Sequence, residues 1–161
     1  MSESEEIIDR YRAGTDDVRS AFADLSREQL IARPVPGKWS SLEVLCHLVD
    51  TDLRNVERIR TALTSEKPRI PGVSIEQLTA MIAVDGRDAA EEMDYFRLIR
   101  SEMARILRAL PPTAMDRGLV LVKPDGTEAI KTVGQLVGGI TAHAVHHLRF
   151  VEEKRRLLGV S

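Results

Sequence analysis

Apolar residues return every three to four positions in four long stretches of the chain, which is the spacing of one face of an α-helix. The first stretch predicts a helix from about Ser4 to Leu25, with Ile7, Tyr11, Val18, Phe22 and Leu25 inward. Gly14 within it costs about 1 kcal/mol relative to alanine. The second begins at Ser40, where Glu43 completes a capping box, and runs to about Leu63. Its stripe is Leu42, Leu45, Val49, Val56, Ile59 and Leu63. The third runs from about Asp88 to Ala109, with Glu92 or Met93, Phe96, Ile99, Met103, Ile106 and Leu110 inward, and Pro111-Pro112 stops it. The last is capped by Thr132 with Gln135 and reaches about Leu158; Leu136, Ile140, Val151 and Leu158 mark its inward face, and Gly159 supplies a stop signal.

Between these stretches the periodicity breaks. Arg33-Pro-Val-Pro-Gly-Lys-Trp-Ser is a loop by its prolines and glycine, and Lys67-Pro-Arg-Ile-Pro-Gly breaks the chain again. Ser74 with Gln77 predicts a short connecting helix to about Val84. Leu119 to Lys131 reads as a short strand and turn, with Pro124-Asp125-Gly126 as the turn chemistry. The fold class is therefore all-α: a four-helix bundle in a single domain over residues 1–161, with a short extra helix in the crossover and a short β-like stretch before the last helix. The long connection from about Thr64 to Arg87 permits the second and third helices to run parallel, an up-down-down-up order.

Composition narrows the function classes. A formal charge of −2 makes no case for a nucleic-acid surface. No run of about 18 apolar residues is present to span a membrane. The acidic opening Met-Ser-Glu-Ser-Glu-Glu has no apolar core, so no secretory signal is expected. The one cysteine, Cys46, excludes an intrachain disulfide and suits a reducing cytoplasm. It falls inside an apolar arc and reads as a small core residue. Arg97, Arg100, Arg105 and Arg108 could bind a carboxylate-rich thiol, but they do not all share one face and read rather as a solvated surface. Lys154-Arg155-Arg156 closes the last helix, where cations suit the dipole.

The chemistry concentrates in the last helix, whose Thr-Ala-His-Ala-Val-His-His-Leu holds His143, His146 and His147. His143 and His147 lie in the apolar arc one turn apart, and His146 sits at its edge. Imidazoles at i and i+4 can converge on one metal ion; the same spacing also suits a buried, hydrogen-bonded pair without metal. The fourth histidine, His47, stands on the second helix, which an ideal wheel turns away from the apolar stripe toward Glu43 and Arg54. Asp50 and Asp52 could orient His47 or a metal-bound water, or be solvated helix carboxylates. Trp39 anchors the loop over the bundle's end or walls the site. No side chain stands out as a protein nucleophile with a partnered base.

Trp39-Ser40, the helix carrying His47-Leu-Val-Asp50-Thr-Asp52, and the last helix carrying His143-Ala-Val-His146-His147-Leu together resemble the DinB superfamily, in family order over almost the whole chain. The resemblance implies an up-down-down-up bundle holding a divalent metal, most often zinc or nickel, on His47, His143 and His147, with His146 at an extra, non-ligand position. It implies first a thiol S-transferase, which joins bacillithiol, mycothiol or glutathione to an electrophile through a metal-bound thiolate. Two further readings follow from it: a metal-dependent hydrolase using metal-bound water, and a non-catalytic stress-associated metal- or ligand-binding protein. A homodimer and a small-molecule thiol and electrophile as partners are also expected on this ground, while composition and charge lead to the expectation of a cytoplasmic protein without nucleic-acid or membrane partners.

Overall fold

The computed structural model describes residues 2–160 apart from 75, 76, 79, 80, 82 and 83. Its elements in chain order are helix α1 (Glu3–Phe22), short helix α2 (Arg27–Ile31), helix α3 (Ser41–Thr64), strand β1 (Arg69–Pro71), helix α4 (Ala89–Ala109), strands β2 (Gly118–Val122) and β3 (Glu128–Thr132), and helix α5 (Val133–Leu157). The connecting helix expected from Ser74 to Val84 lies largely outside the described residues.

Local chemistry sets the helix starts. Ser2, Ser26, Ser40 and Thr132 each cap a helix, and in each case the Glu or Gln three residues on returns a bond to the cap's backbone. Asp88 caps α4 by accepting from the N–H groups of Ala90 and Glu91. α1 ends three residues before its expected stop. The chain turns at Asp24, in the left-handed region at φ 59°, and Ser26-Arg-Glu-Gln29 starts α2 in its place.

α1 packs against α4 and α5, and so does α3, which places α1 and α3 across a diagonal. Residue pairs fix the directions. Asp50 meets Arg87 at one end of α3, and Arg60 meets Glu102 of α4 toward the other at 3.1 Å, so α3 and α4 run parallel. Asp9 near the start of α1 pairs with Arg108 near the end of α4, so those two are antiparallel. Arg155 at the end of α5 donates to the carbonyls of Ala21 and Ala23 at the end of α1, so α1 and α5 are parallel. The order is up-down-down-up.

The core falls into two apolar layers. One gathers Phe22, Leu45, Val49, Phe96, Leu148 and Val151; the other gathers Ile8, Ile59, Met103, Leu107, Val137 and Ile140. Between them lies a polar group that the sequence does not announce. Arg100 is fully buried, contrary to the solvated surface expected of it. Its guanidinium donates to Asp52 Oδ2 through Nη2 at 2.9 Å and through Nε at 3.3 Å, and to the Tyr11 carbonyl at 3.0 Å. The Tyr11 hydroxyl donates to Asp52 Oδ1 at 3.3 Å. The guanidinium also lies 4.2 Å from the Phe96 ring centroid and 4.7 Å from that of Tyr11. Burial is affordable here because every charged atom has a partner.

The β-like stretch is more than one strand. β2 and β3 form a hairpin closed at Gly126, whose φ of 83° favours glycine, and β1 adds a parallel partner to β2. Arg117, just before β2, donates to the carbonyls of Ala62 at 2.7 Å and Ser65 at 3.0 Å, so the sheet closes the C-terminal end of α3. The histidines lie toward the other end of the bundle.

Candidate metal centre

Two helices bring three imidazoles together. The Ser40 capping box starts α3: Ser40 N–H donates to Glu43 at 2.7 Å, and Arg33 from the preceding loop donates to the same carboxylate at 2.6 Å. One turn further, His47 points into the bundle and is only 2% exposed. The ideal wheel placed it away from the apolar stripe. The structure buries it because Leu42 and every residue from Val44 to Val49 are buried, so this part of α3 has almost no solvent face. From α5, His143 and His147 stand one turn apart with ring centroids 4.5 Å from each other. The His47 ring lies 5.0 Å from His143 and 4.7 Å from His147.

One nitrogen from each of the three rings lies within 4.8 Å of the others, and no carboxylate or thiol among the described residues joins the group. His47 Nε2 and His143 Nε2 are 3.1 Å apart. Two imidazole nitrogens on one tetrahedral zinc stand about 3.3 Å apart at ordinary bond lengths, so the spacing fits a shared ion. Burial, and then the neighbouring imidazole, hold all three pKa values down to about 4. The rings are therefore neutral near pH 7, with lone pairs available to a cation. The donor set fits a divalent metal.

The supports around the rings are aromatic rather than ionic. Trp39, immediately before the Ser40 cap, sits 4.9 Å from the His47 ring and lies nearly parallel to His147, at 11° and 6.3 Å. Phe150 meets His147 edge-on at 6.0 Å. The Nδ1 atoms of His47, His143 and His147 are buried and have no hydrogen-bond partner among the described residues. The rings are thus held by packing, without the carboxylate that often orients a metal-binding histidine. The two candidate carboxylates turn elsewhere. Asp50 forms a double bridge to Arg87, at 2.9 and 3.0 Å, and Arg87 also holds Glu92 at 2.7 Å. Asp52 belongs to the Arg100 group. His146 is exposed and packs edge-on against Phe150 at 5.1 Å. Cys46 is buried in the core, where burial pushes its thiol up to about 11.

Beside His147 opens a cleft of about 360 Å³, walled by Val35, Trp39, Val44 and Phe150 and reaching Lys154. Of the three imidazoles, that of His147 lines it.

The family model of the DinB superfamily matches residues 10–151. The chain belongs to that superfamily. Among its relatives, a Geobacillus thermodenitrificans protein named "Putative metal-dependent hydrolase" is 26% identical over 156 residues, covering 96% of this chain and 85% of its own. The similarly named YfiT of Bacillus subtilis is 25% identical over 144 residues, covering 89% of this chain and 79% of its own. The solved structure of YfiT matches the fold with a TM-score of 0.87 at 22% identity, over 100% of this chain and 91% of that one. Its description speaks of a probable metal-dependent hydrolase with an unusual four-helix bundle topology. No helix among the described residues is long and apolar enough to cross a membrane.

Proposed function

We propose that the protein is a metal-dependent hydrolase whose centre is His47, His143 and His147. The observation that carries this reading is the convergence of three neutral imidazoles, with no fourth protein ligand in the group among the described residues, beside a cleft large enough for a substrate. Three protein ligands and a free position are the pattern of catalytic rather than structural zinc sites. A divalent ion bound there supplies Lewis acidity, which makes a water nucleophilic near neutral pH. The chain's own part is binding and exclusion. Trp39 covers His47 and His147 on the loop side, and Phe150 flanks His147. The apolar cleft orients a substrate toward the imidazoles.

The names carried by the relatives favour hydrolysis over the thiol S-transferase that the sequence resemblance put first. Zinc is the leading candidate for the ion, with nickel next, since neutral imidazole suits both. The test is turnover of a panel of ester and amide substrates by zinc- and nickel-loaded protein, with and without bacillithiol, mycothiol or glutathione. Hydrolysis without any thiol supports the proposal. Activity that appears only with a thiol, and yields the thiol adduct, would replace it with the transferase. Metal binding without either activity would leave a binding protein.

A further inference from the structure

Lys154 is an unusual lysine. It lies in the last turns of α5, where such side chains normally extend into water, yet it is 3% exposed. It folds back along the helix: Nζ donates to the Phe150 carbonyl at 3.1 Å and sits 5.9 Å from the centroid of the Phe150 ring. An ammonium has three N–H donors. The other two have no acceptor among the described residues, and neither Glu43 nor Glu153 reaches it as an ion pair. The bond back to the Phe150 carbonyl uses one donor and leaves the other two without an acceptor among the described residues.

Lys154 also lines the cleft beside His147. Val35, Trp39, Val44 and Phe150 give it apolar walls, and its polar lining is His147, Lys154, Lys38 and Glu153, of which Lys154 is the buried one. At about 360 Å³ it falls within the range of small-molecule sites, where apolar walls supply affinity and a few polar groups fix orientation. His147 and Lys154 are two turns apart on α5, and the bend of Lys154 toward Phe150 brings its ammonium nearer still. The separation along the helix is about 5–10 Å.

We propose that this cleft holds the non-reacting part of the substrate and that Lys154 receives its carboxylate. The substrate class is then an apolar or aromatic body bearing a carboxylate about 5–10 Å from the group that reacts at the histidines. The proposal rests on the hydrolase reading only for what happens at the reacting end. The anion site stands on its own observations and is tested separately.

Trp39 is the chain's single tryptophan and walls the cleft, so its fluorescence reports occupancy. Metal-free protein is titrated with 3-phenylpropionate and with the neutral 3-phenylpropionamide; removing metal keeps the carboxylate from binding an ion instead. The carboxylate should bind about tenfold tighter or more, the value of a hydrogen bond to a charged group. Lys154→Met should abolish that preference while leaving the amide's affinity in place, and Lys154→Arg should keep it. The amide serves as the control for an intact cleft. Equal affinity of the parent for both compounds, binding of neither, or an undiminished preference in Lys154→Met would overturn the proposal. Turnover plays no part in this test, so failure of the hydrolase reading and failure of the anion site are told apart.

Discussion

Gly14 of α1 faces Arg100 of α4 so closely that a Cβ at position 14 would stand 2.6 Å from Arg100 Nη1. The glycine that weakens α1 as a helix is therefore what admits the guanidinium to the middle of the bundle. On propensity alone, Gly14→Ala should stabilise α1 by about 1 kcal/mol. Here it should instead destabilise the protein by about 1–3 kcal/mol, the usual cost of overpacking, because the displaced group is a charged one with fixed partners. The urea midpoint, at unchanged slope, measures this; a rise in midpoint would contradict it.

Asp52 neutralises Arg100 where water does not reach. Burial raises the Asp52 carboxyl above its ordinary range, while Arg100 and the Tyr11 hydroxyl pull the other way and favour the carboxylate. Asp52→Ala should cost about 3–5 kcal/mol, since it strands a buried guanidinium. Replacing both members, as in Asp52→Leu with Arg100→Met, should recover most of the loss. Equilibrium unfolding of the single and double variants checks both.

Each of His143→Ala, His147→Ala and His47→Ala should reduce bound zinc from near one equivalent to little, and all three should keep the helical circular-dichroism spectrum of the parent. The apolar layers do not depend on the rings for most of their contacts. Mass spectrometry of the purified proteins gives the metal content. A His47→Ala protein that still holds a full equivalent would remove α3 from the centre. Zinc at about 100 times its Kd should add about 2.7 kcal/mol to the parent's stability, and nothing comparable to the variants'.

Metal-free protein should weaken as the pH falls from about 6.5 to about 4. The three site histidines are held near 4 in the folded state, against an ordinary value of 6.5. Unfolded chains therefore take up protons first, and each proton bound pulls the equilibrium toward unfolding. Above 6.5 the contribution is constant, and it is lost progressively below that. Urea midpoints at about pH 7.5 and about pH 5, compared with those of a His143→Gln/His147→Gln double variant, test this, because the double variant should lose much of the dependence.

The helices were legible because their signals are local. Ser40 with Glu43 and Thr132 with Gln135 start α3 and α5 where expected, and Ser26 with Gln29 carries the same local signal for α2. What escaped sequence reading is non-local. A wheel assumes one buried face, whereas α3 around His47 is enclosed on nearly all sides. Arg100 reads as surface until its partner Asp52, 48 residues away, is brought beside it. Arg69-Ile70-Pro71 reads as a break because its ladder partners, Val120 to Val122, lie on the far side of α4 in the chain. The histidine spacing on α5 was visible, but the tilt of Trp39 over two imidazoles and the inward bend of Lys154 depend on packing that no spacing encodes.

The polar layer of Tyr11, Asp52 and Arg100 splits the interior into two compartments. The histidines, Trp39 and the cleft border one; the sheet and the N-terminal turns of α1 and α5 border the other. Side chains on opposite sides of the layer share few neighbours, so their substitutions should combine additively. Each end of the bundle thus has its own apolar layer, and the charged seam between them, through the bond from Arg100 to the Ile140 carbonyl on the histidine helix, is where a change at one end would be felt at the other.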